Sequence, residues 1–344
     1  MSAAGTIPRV SAVIPCRNEA GYIGGCLDSL LACDYPQDQL EILVADGMSD
    51  DGTRDIVRAY AARHPSIHLL DNPRRITPAA MNVGVRHATG AIIMPMGAHA
   101  LYPRDYISRL VAALDETGAD NVGGVLVTVP ADDTPVARAL AIALSHPLGV
   151  GNSYFRIGSS ERREVDTVPF GCYRRAVFDR IGLFDEELVR NQDDELNGRL
   201  VRDGGRIVLI PEVVSQYYAR RTFRQVARMF FQYGYFKPLA ARKIGRVLTV
   251  RQLVPALFVL GLAGSALLAP WLAAGRWLLA GITVAYLAAT GTAALAGLRY
   301  GARCALALAA AFPVLHLSYG VGFFAGLWPR PVGTEQVAAV PLSR

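Results

Sequence analysis

The 344 residues predict an α/β head with a mainly parallel sheet, followed by an all-α tail of three membrane-crossing helices. Three observations carry that prediction. Short apolar runs alternate with helical patterns over residues 10–96, as βαβ units require. Acidic residues are confined to the front: residues 1–212 hold 28 acidic and 21 basic side chains, whereas 213–344 hold Glu335 against 14 basic ones. The tail carries three apolar segments of about twenty residues each, the length that crosses a hydrocarbon core.

Val10–Pro15 is a first buried strand, and the helix after it sets Ile23, Leu27, Leu30 and Leu31 on one face. Ile42–Ala45 is a second strand that stops at Asp46-Gly47. Ser49, Asp50, Asp51 and Gly52 follow, and Thr53 opens a helix that pairs Ile56 with Tyr60 and Val57 with Ala61. Ligands of open α/β sheets bind beyond the carboxyl ends of the strands, which is where Asp46 lies. An Asp-Gly pair is also an ordinary turn, and Asp51 or Thr53 an ordinary N-cap. Ile67–Leu70 is a third strand, Pro78–Ala88 a helix with Thr77 as its cap, and Ala91–Met96 a fourth strand. Neither GxGxxG after the first strand nor GxxxxGK[ST] anywhere is present, which argues against a dinucleotide site and a P-loop.

Asn121–Val129 is a fifth strand whose Gly123-Gly124 pair implies a close approach. Ala131–Thr134 reads as a helix-leading turn, not a metal pair. Gly151–Glu164 is polar and uneven, suiting a loop over a site. The run Gln192-Asp193-Asp194-Glu195 reads as the start of a helix that ends at Asp203-Gly204-Gly205, and Arg206–Pro211 returns as a strand.

With 52% hydrophobic and 19% charged residues, the composition is richer in apolar side chains than an ordinary soluble domain. The formal charge of +6 belongs to the tail, so no nucleic-acid partner is expected. Cys16, Cys26, Cys33, Cys172 and Cys304 form no CxxC pair, which fits a reduced compartment without disulfides or zinc. Met1–Arg9 has neither the charged nor the apolar region of a secretory signal.

The apolar segments are Leu253–Ala274, Trp277–Gly297 and Cys304–Trp328. The basic run Arg220, Arg221, Arg224, Arg228, Lys237, Arg242, Lys243, Arg246 and Arg251 precedes them. The positive-inside rule places that run, and the Arg299/Arg303 break, in the cytoplasm. Thr222–Phe236, basic and aromatic, suits a helix in the membrane interface. His316 reads as a packed polar residue. The expected domains are a cytosolic head over 1–219, an interfacial segment over 220–252, spans over 253–330 and a tail over 331–344.

VSAVIPCRNEAGYIGGCLDSLL, EILVADGMSDDGT and Asn82-x-Gly84…Ala88-Thr89-Gly90 resemble the nucleotide-binding half of a family 2 glycosyltransferase with the Rossmann-like GT-A fold. VPFGCYRRAVFDRIGLFDEE and NQDDELNGRLVRDGG resemble its acceptor half. HPLGVGNSYFR and the membrane-spanning tail bring the chain nearest to the bacterial succinoglycan/exopolysaccharide glucosyltransferase subgroup. The resemblance implies that Pro15, Arg17, Glu19, Asp46 and Ser49 surround the nucleotide base and ribose. It puts Arg75 and Asn82 along the diphosphate. A uracil ring offers an N–H to a carboxylate and carbonyls to donors, which suits this set.

The family pattern of Asp-x-Asp, or Asp-Ala-His in the subgroup, is here Gly97-Ala98-His99. Ala98 stays in the donor set and His99 is the candidate metal ligand. Gly97 supplies none, so dependence on Mg²⁺ or Mn²⁺ is in question. Leu196-x-x-Arg199-Leu200 aligns the family's Glu-Asp motif on Gln192-Asp193. This makes Asp193 the candidate base, with Asp194 its competitor. Repulsion among three consecutive acids would favour proton uptake, whereas an acidic helix N-terminus is the structural alternative.

The resemblance implies an inverting enzyme that moves a hexose, glucose by its subgroup, from a UDP-linked nucleotide sugar to a lipid-linked saccharide in exopolysaccharide or envelope glycan synthesis. The expected location is the plasma (inner) membrane. Gln225-x-x-Arg228-Met229 is a weak likeness to processive synthases, and single-sugar transfer is preferred. A polyprenyl-phosphate sugar synthase, or a degenerate relative that binds a nucleotide or partner without turnover, stays open.

Overall fold

A computed structural model describes residues 7–245 and 249–328. The expected tail over 331–344, and Arg246 of the basic run, lie outside the described residues. The chain opens with β1 (Val10–Cys16), α1 (Ile23–Leu31), β2 (Leu40–Asp46), α2 (Thr53–Ala61), β3 (Ile67–Asp71), α3 (Thr77–His87) and β4 (Ile92–Pro95), the alternation that the apolar runs predict. Next come β5 (Ala100–Leu101), α4 (Tyr106–Thr117), β6 (Asn121–Val129) and the short helices α5 (Pro135–Ala143), α6 (Pro147–Val150) and α7 (Tyr154–Ile157). β7 (Arg163–Glu164), β8 (Cys172–Arg174), α8 (Arg175–Ile181), α9 (Gln192–Arg202) and β9 (Ile207–Tyr218) follow. The last helices are α10 (Phe223–Ile244), α11 (Val250–Leu268), α12 (Ala273–Ala294) and α13 (Ala302–Leu327).

The strands form one sheet in the order β3-β2-β1-β4-β8-β6-β9-β5, with β7 on β9. β1 runs parallel to β2 and β4, with Val10 opposite both Leu40 and Ile92, and β3 runs parallel to β2. β8 joins antiparallel to β4 and β6, and β5 and β7 are antiparallel to β9. The sheet is therefore mixed, and its parallel ladder stops at β4. Each parallel pair needs a crossover helix, and the strands beyond β4 join it without that repeat. Thr77 also differs from expectation. It is the first residue of α3 after an extended Ile76, with proline in the first turn and no side-chain cap.

Both faces of β1 and β2 are buried, as a continuous apolar run dictates. At their amino ends sits Glu41, only 3% exposed. It accepts from the Ser11 hydroxyl, from Thr89 N at 2.5 Å and Oγ1 at 2.9 Å, and from Gly90 N at 3.2 Å. Burial would raise its pKa, but the hydrogen bonds from Ser11 and Thr89 outweigh it and hold the carboxyl below its ordinary value. The Ala-Thr-Gly part of the motif is thus a clamp on the sheet, far along the strands from their carboxyl ends. Gly84 of the same motif lets α3 lie on Val13, whose side chain fills the space of a Cβ.

Packing divides the described chain into two compact units, one of residues 7–127 with 158–217, the other of 128–157 with the residues from 218 on. The segment 128–157 groups with the tail helices, although the apolar pattern assigns it to the head. The reason is burial. Ala139, Leu140 and Ala143 of α5 join Leu308, Ala311, Phe312 and Leu315 of α13 in one apolar cluster. As expected, Thr134 caps α5 by accepting from Ala137 N at 3.2 Å, and Asp132 serves the turn before it.

Among the described residues, three helices are long and apolar enough to cross a membrane: Val250–Leu268, Ala273–Tyr300 and Ala302–Leu327. α10 lies along α13, where Gly322 and Gly326 leave room for the backbone carbonyls of Phe231 and Tyr235. Small residues allow such close backbone approach. Arg242 donates to Leu327 O at 2.7 Å at the end of α13. Gln225 is the partner of Thr222 in a capping box, which accounts for it structurally. His316 is packed as expected, with Nε2 2.8 Å from Leu148 O and Nδ1 2.7 Å from the Tyr286 hydroxyl.

Candidate active site

The loops after β1 and β2 are fastened to each other at the carboxyl ends of the parallel strands. Asn18, in the left-handed region at φ 51°, donates its N–H to Ser49 Oγ at 2.6 Å, and its Oδ1 accepts from Asp50 N at 2.9 Å. Glu19 N donates to Thr53 Oγ1 at 2.7 Å, and Ala20 N to Asp51 Oδ2 at 3.2 Å. Gly47 N donates to Cys16 O at 2.7 Å. Gly47, Asp51 and Thr53, which looked like turn and cap residues in isolation, thus help to close two loops into one rim.

Asp46 is the pin of that rim. It is fully buried, and its carboxylate accepts from Ser49 N at 2.8 Å and Ser49 Oγ at 2.5 Å. Arg54 Nη1 donates to it at 2.9 Å while Nη2 reaches Asp71 at 2.6 Å. Asp71 and Asp46 raise the pKa of Arg54, which stays a permanent cation. Three of roughly four lone-pair sites on Asp46 are thus in use. Neither Arg54 nor Asp71 was among the expected site residues. Their signal was present, since Arg54 lies on the first turn of α2 and Asp71 ends β3 opposite Asp46.

The remaining expected residues fall at different distances from this rim. The stem of Arg17 packs over Gly47, and Pro15 is half-buried in β1. Arg75 is exposed on the turn before α3 at φ 58°. Asn82 is already committed: its amide donates to Phe184 O at 2.9 Å and Glu186 Oε1 at 2.8 Å, and its oxygen accepts from Phe184 N at 2.9 Å. It joins α3 to the 184–186 segment, and no amide atom remains for a diphosphate. Ala98 is 2% exposed, so only its main chain can face a ligand.

After β4 the chain turns through Gly97 to His99, beside β5 and β9. His99 Nδ1 is 3.5 Å from Glu19 Oε1, and its ring lies 5.1 Å from Tyr217 and 6.4 Å from Tyr22. That nitrogen is buried and makes no hydrogen bond. Gly97 has no room for a side chain, because a Cβ would stand 2.7 and 2.8 Å from two ring carbons of Phe170. Its N–H donates to the Tyr102 hydroxyl at 2.7 Å. No group of three or more His, Cys, Asp or Glu side chains suited to a metal occurs among the described residues. A hard cation commonly completes its shell with substrate phosphates. The unused His99 nitrogen facing a carboxylate fits two protein ligands of such a shell.

The acidic run is positioned separately, by α9. Asn191 enters it at φ 63°, and the first turn holds Asp193, exposed, Asp194, half-buried, and Glu195, buried. Glu195 is bound by Arg199 one turn later at 2.6 and 2.9 Å. Arg199 also donates to the carbonyls of Ile181 and, at 2.6 Å, Leu183. The Leu-x-x-Arg frame is therefore a brace that commits Glu195 of the acidic run to Arg199. Beneath them Asn197 accepts from Tyr173 at 2.8 Å and Asn121 at 3.1 Å, and donates to Thr167 at 2.9 Å. Asp193 acts on Tyr173 electrostatically, after burial the next cause that raises the phenol's pKa.

Comparison with known proteins shows the family and the fold. The sequence profile "Glycosyl transferase family 2" matches residues 11–182. The chain is 33% identical over 324 residues to the succinoglycan biosynthesis protein ExoA of Rhizobium meliloti, covering 91% of this chain and 93% of that one. It is 29% identical over 242 residues to the dolichyl N-acetyl-alpha-D-glucosaminyl phosphate 3-beta-D-2,3-diacetamido-2,3-dideoxy-beta-D-glucuronosyltransferase of Methanococcus voltae, covering 68% and 74%. Among solved structures, the mannosyltransferase PcManGT of Pyrobaculum calidifontis, in complex with GDP-Man and Mn²⁺, shares the fold at a TM-score of 0.58. It is 23% identical and the match covers 94% of this chain and 88% of that one. The protein belongs to glycosyl transferase family 2 and has the GT-A fold.

Proposed function

We propose that this glycosyltransferase moves a hexose from a UDP-linked sugar to a polyprenyl-diphosphate-linked saccharide in exopolysaccharide or envelope glycan synthesis, with inversion. The observation that carries it is the Asp46-pinned rim at the carboxyl ends of β1 and β2, the place where an open α/β sheet takes its ligand. The relatives support the process, one named for succinoglycan biosynthesis and one for transfer to a dolichyl-linked sugar.

In this reading Arg17, Glu19, Ser49 and the main chain at Pro15 and Ala98 receive the nucleoside. Asp46 acts on it through Ser49, since its own oxygens already hold Ser49 and Arg54. Arg75 takes the diphosphate side. Asn82 is left out of the donor set. Glu19 and His99 would hold a divalent cation, which when bound neutralises charge on the departing diphosphate. Asp193 removes the acceptor hydroxyl proton as that oxygen attacks the anomeric carbon. The bond to the nucleoside diphosphate breaks on the opposite face and the diphosphate leaves with its electron pair. Asp194 is the alternative base. The catalytic residues work in the cytoplasm, at the plasma membrane, because the Arg-rich segments flank the spans on that side.

The test is product analysis with the full-length protein, a panel of nucleotide sugars and membrane lipid extract. Radiolabelled hexose from a UDP-sugar should appear on a lipid-linked saccharide with inverted configuration. Transfer to free polyprenyl phosphate instead would replace this reading by that of a sugar-phosphate synthase, and donor binding without any product would sink both.

A further inference from the structure

A groove of about 500 Å³ opens between α6 and α12, lined by His146 and Leu148 on one side and by Ala288, Ala289, Thr292, Ala293 and Ala296 on the other. Both walls belong to the unit that contains the candidate membrane spans. The wall formed by α12 and the turn after it is alanine apart from Thr292, whose hydroxyl is taken up by Ala288 O at 2.9 Å. The opposite wall has a polar atom to offer. His146 Nδ1 accepts from Leu148 N at 3.1 Å, so the ring proton sits on Nε2, a fixed donor. This wall runs from Ala288 to Ala296, nine residues and about 12 Å along the chain axis, and its Ala296 end leads into a cationic corner. There the guanidinium of Arg299 lies 4.9 Å from the centre of the Tyr300 ring and that of Arg138 5.5 Å from it. Asp133 balances Arg138 at 2.7 Å. Arg299 and Arg303 have no acid near them in sequence, since none occurs between Val213 and Thr334.

An apolar channel on a membrane helix that ends at guanidinium groups is complementary to a lipid with a long slender chain and an anionic head. We propose that this groove seats the isoprenoid chain of the polyprenyl-linked acceptor, with its phosphate toward Arg299 and Arg138. The proposal rests on the reading that the acceptor is lipid-linked, and it adds where the lipid is held. Narrow side chains at 288, 289, 292 and 296 admit the methyl-branched chain, and the aromatic platform of Tyr300 keeps the two cations at the head.

The experiment uses the full-length protein in nanodiscs of phosphatidylethanolamine and phosphatidylglycerol, with a polyprenyl phosphate carrying a photoreactive group on its chain. Cross-links should map to residues 146–148 and 288–296 and be removed by unlabelled polyprenyl phosphate. Ala289→Phe and Thr292→Phe, both at exposed positions, should cut labelling and raise KM for the lipid acceptor roughly tenfold, a difference of about 1.4 kcal/mol. Leu268→Phe, exposed on α11 away from the groove, should leave both unchanged. Competition by phosphatidylglycerol as strong as by polyprenyl phosphate would mark a site for bulk lipid and overturn the proposal. Wild-type KM in Ala289→Phe and Thr292→Phe would overturn it too. Failure of the acceptor reading looks different: the wild type then makes no lipid-linked sugar at any lipid concentration.

Discussion

Replacing Gly97 with Asp supplies the carboxylate that the family pattern places there, but the structure puts Phe170 in its way. The ring carbons stand 2.7 and 2.8 Å from the Cβ position, well inside van der Waals contact. Gly97 is not among the residues with positive φ, so the ring is the obstacle and not the backbone. Phe170 cannot swing away without cost, because it packs edge-on to Tyr102 at 5.7 Å. Overpacking of this kind costs about 1–3 kcal/mol. At about 2–4 °C per kcal/mol for a unit of this size, Gly97→Asp should lower the melting temperature by roughly 2–12 °C. It should not improve cation binding. In the double variant Gly97→Asp/Phe170→Ala the new carboxylate has room, and Mn²⁺ titrated in the presence of UDP should bind more tightly than in either single variant. Melting temperature and Mn²⁺ affinity together complete a double-mutant cycle, with a coupling of about 0.5–3 kcal/mol expected for residues in contact. If Gly97→Asp alone is as stable as wild type and binds Mn²⁺ more tightly, Phe170 yields freely and the steric argument is refuted.

Asp193→Asn should lower turnover by about 10²–10⁴-fold with donor affinity unchanged, the usual worth of a general base; the register is off by one if Asp194→Asn abolishes transfer while Asp193→Asn remains active. Asp46→Asn should do the reverse, raising the Kd for UDP in calorimetry more than it lowers the chemical step, because it loosens Ser49 and Arg54. Glu41→Gln removes a buried, multiply hydrogen-bonded carboxylate and should cost about 1–3 kcal/mol at neutral pH. Since the folded pKa lies below the ordinary 4.5, that stabilisation is complete above 4.5 and lost as pH falls through the lower folded value. Glu41→Gln should therefore flatten the acid limb of a melting-temperature profile, and an unchanged limb would show that Glu41 does not govern it. Reporters inserted at Leu272 and at Gly301 should register outside and inside the cell respectively, and the opposite pattern would invert the proposed topology.

How much was legible in the sequence differs by element, for a physical reason. Periodicity reports local burial, so the β1–β4 alternation, α9 and the three apolar spans could be read directly. Composition likewise placed the basic residues with the apolar tail. What periodicity cannot report is the partner that a buried face finds. α5 has the pattern of any short amphipathic helix, and only the tertiary structure shows Ala139, Leu140 and Ala143 against α13. The mixed sheet has the same cause, because strand direction depends on how the chain returns and not on the strand's own residues.

The site divides along the same line. The order of motifs announced the family, and the polar residues after β1 and β2 are hydrogen-bonded to one another across the two loops. Which polar groups remain available is a matter of pairing across long stretches of chain. Asn82 spends its amide on Phe184 and Glu186, about a hundred positions away. Asp46 draws on Arg54, Glu195 on Arg199, and Gly97 is closed by Phe170. The sequence by itself determined the chemistry on hand: a carboxylate and basic rim, an acidic helix start and an apolar, cationic tail. The tertiary structure alone decided which of those groups are spent on holding the fold, because a hydrogen bond or a ring contact is made in space between residues that the sequence keeps apart.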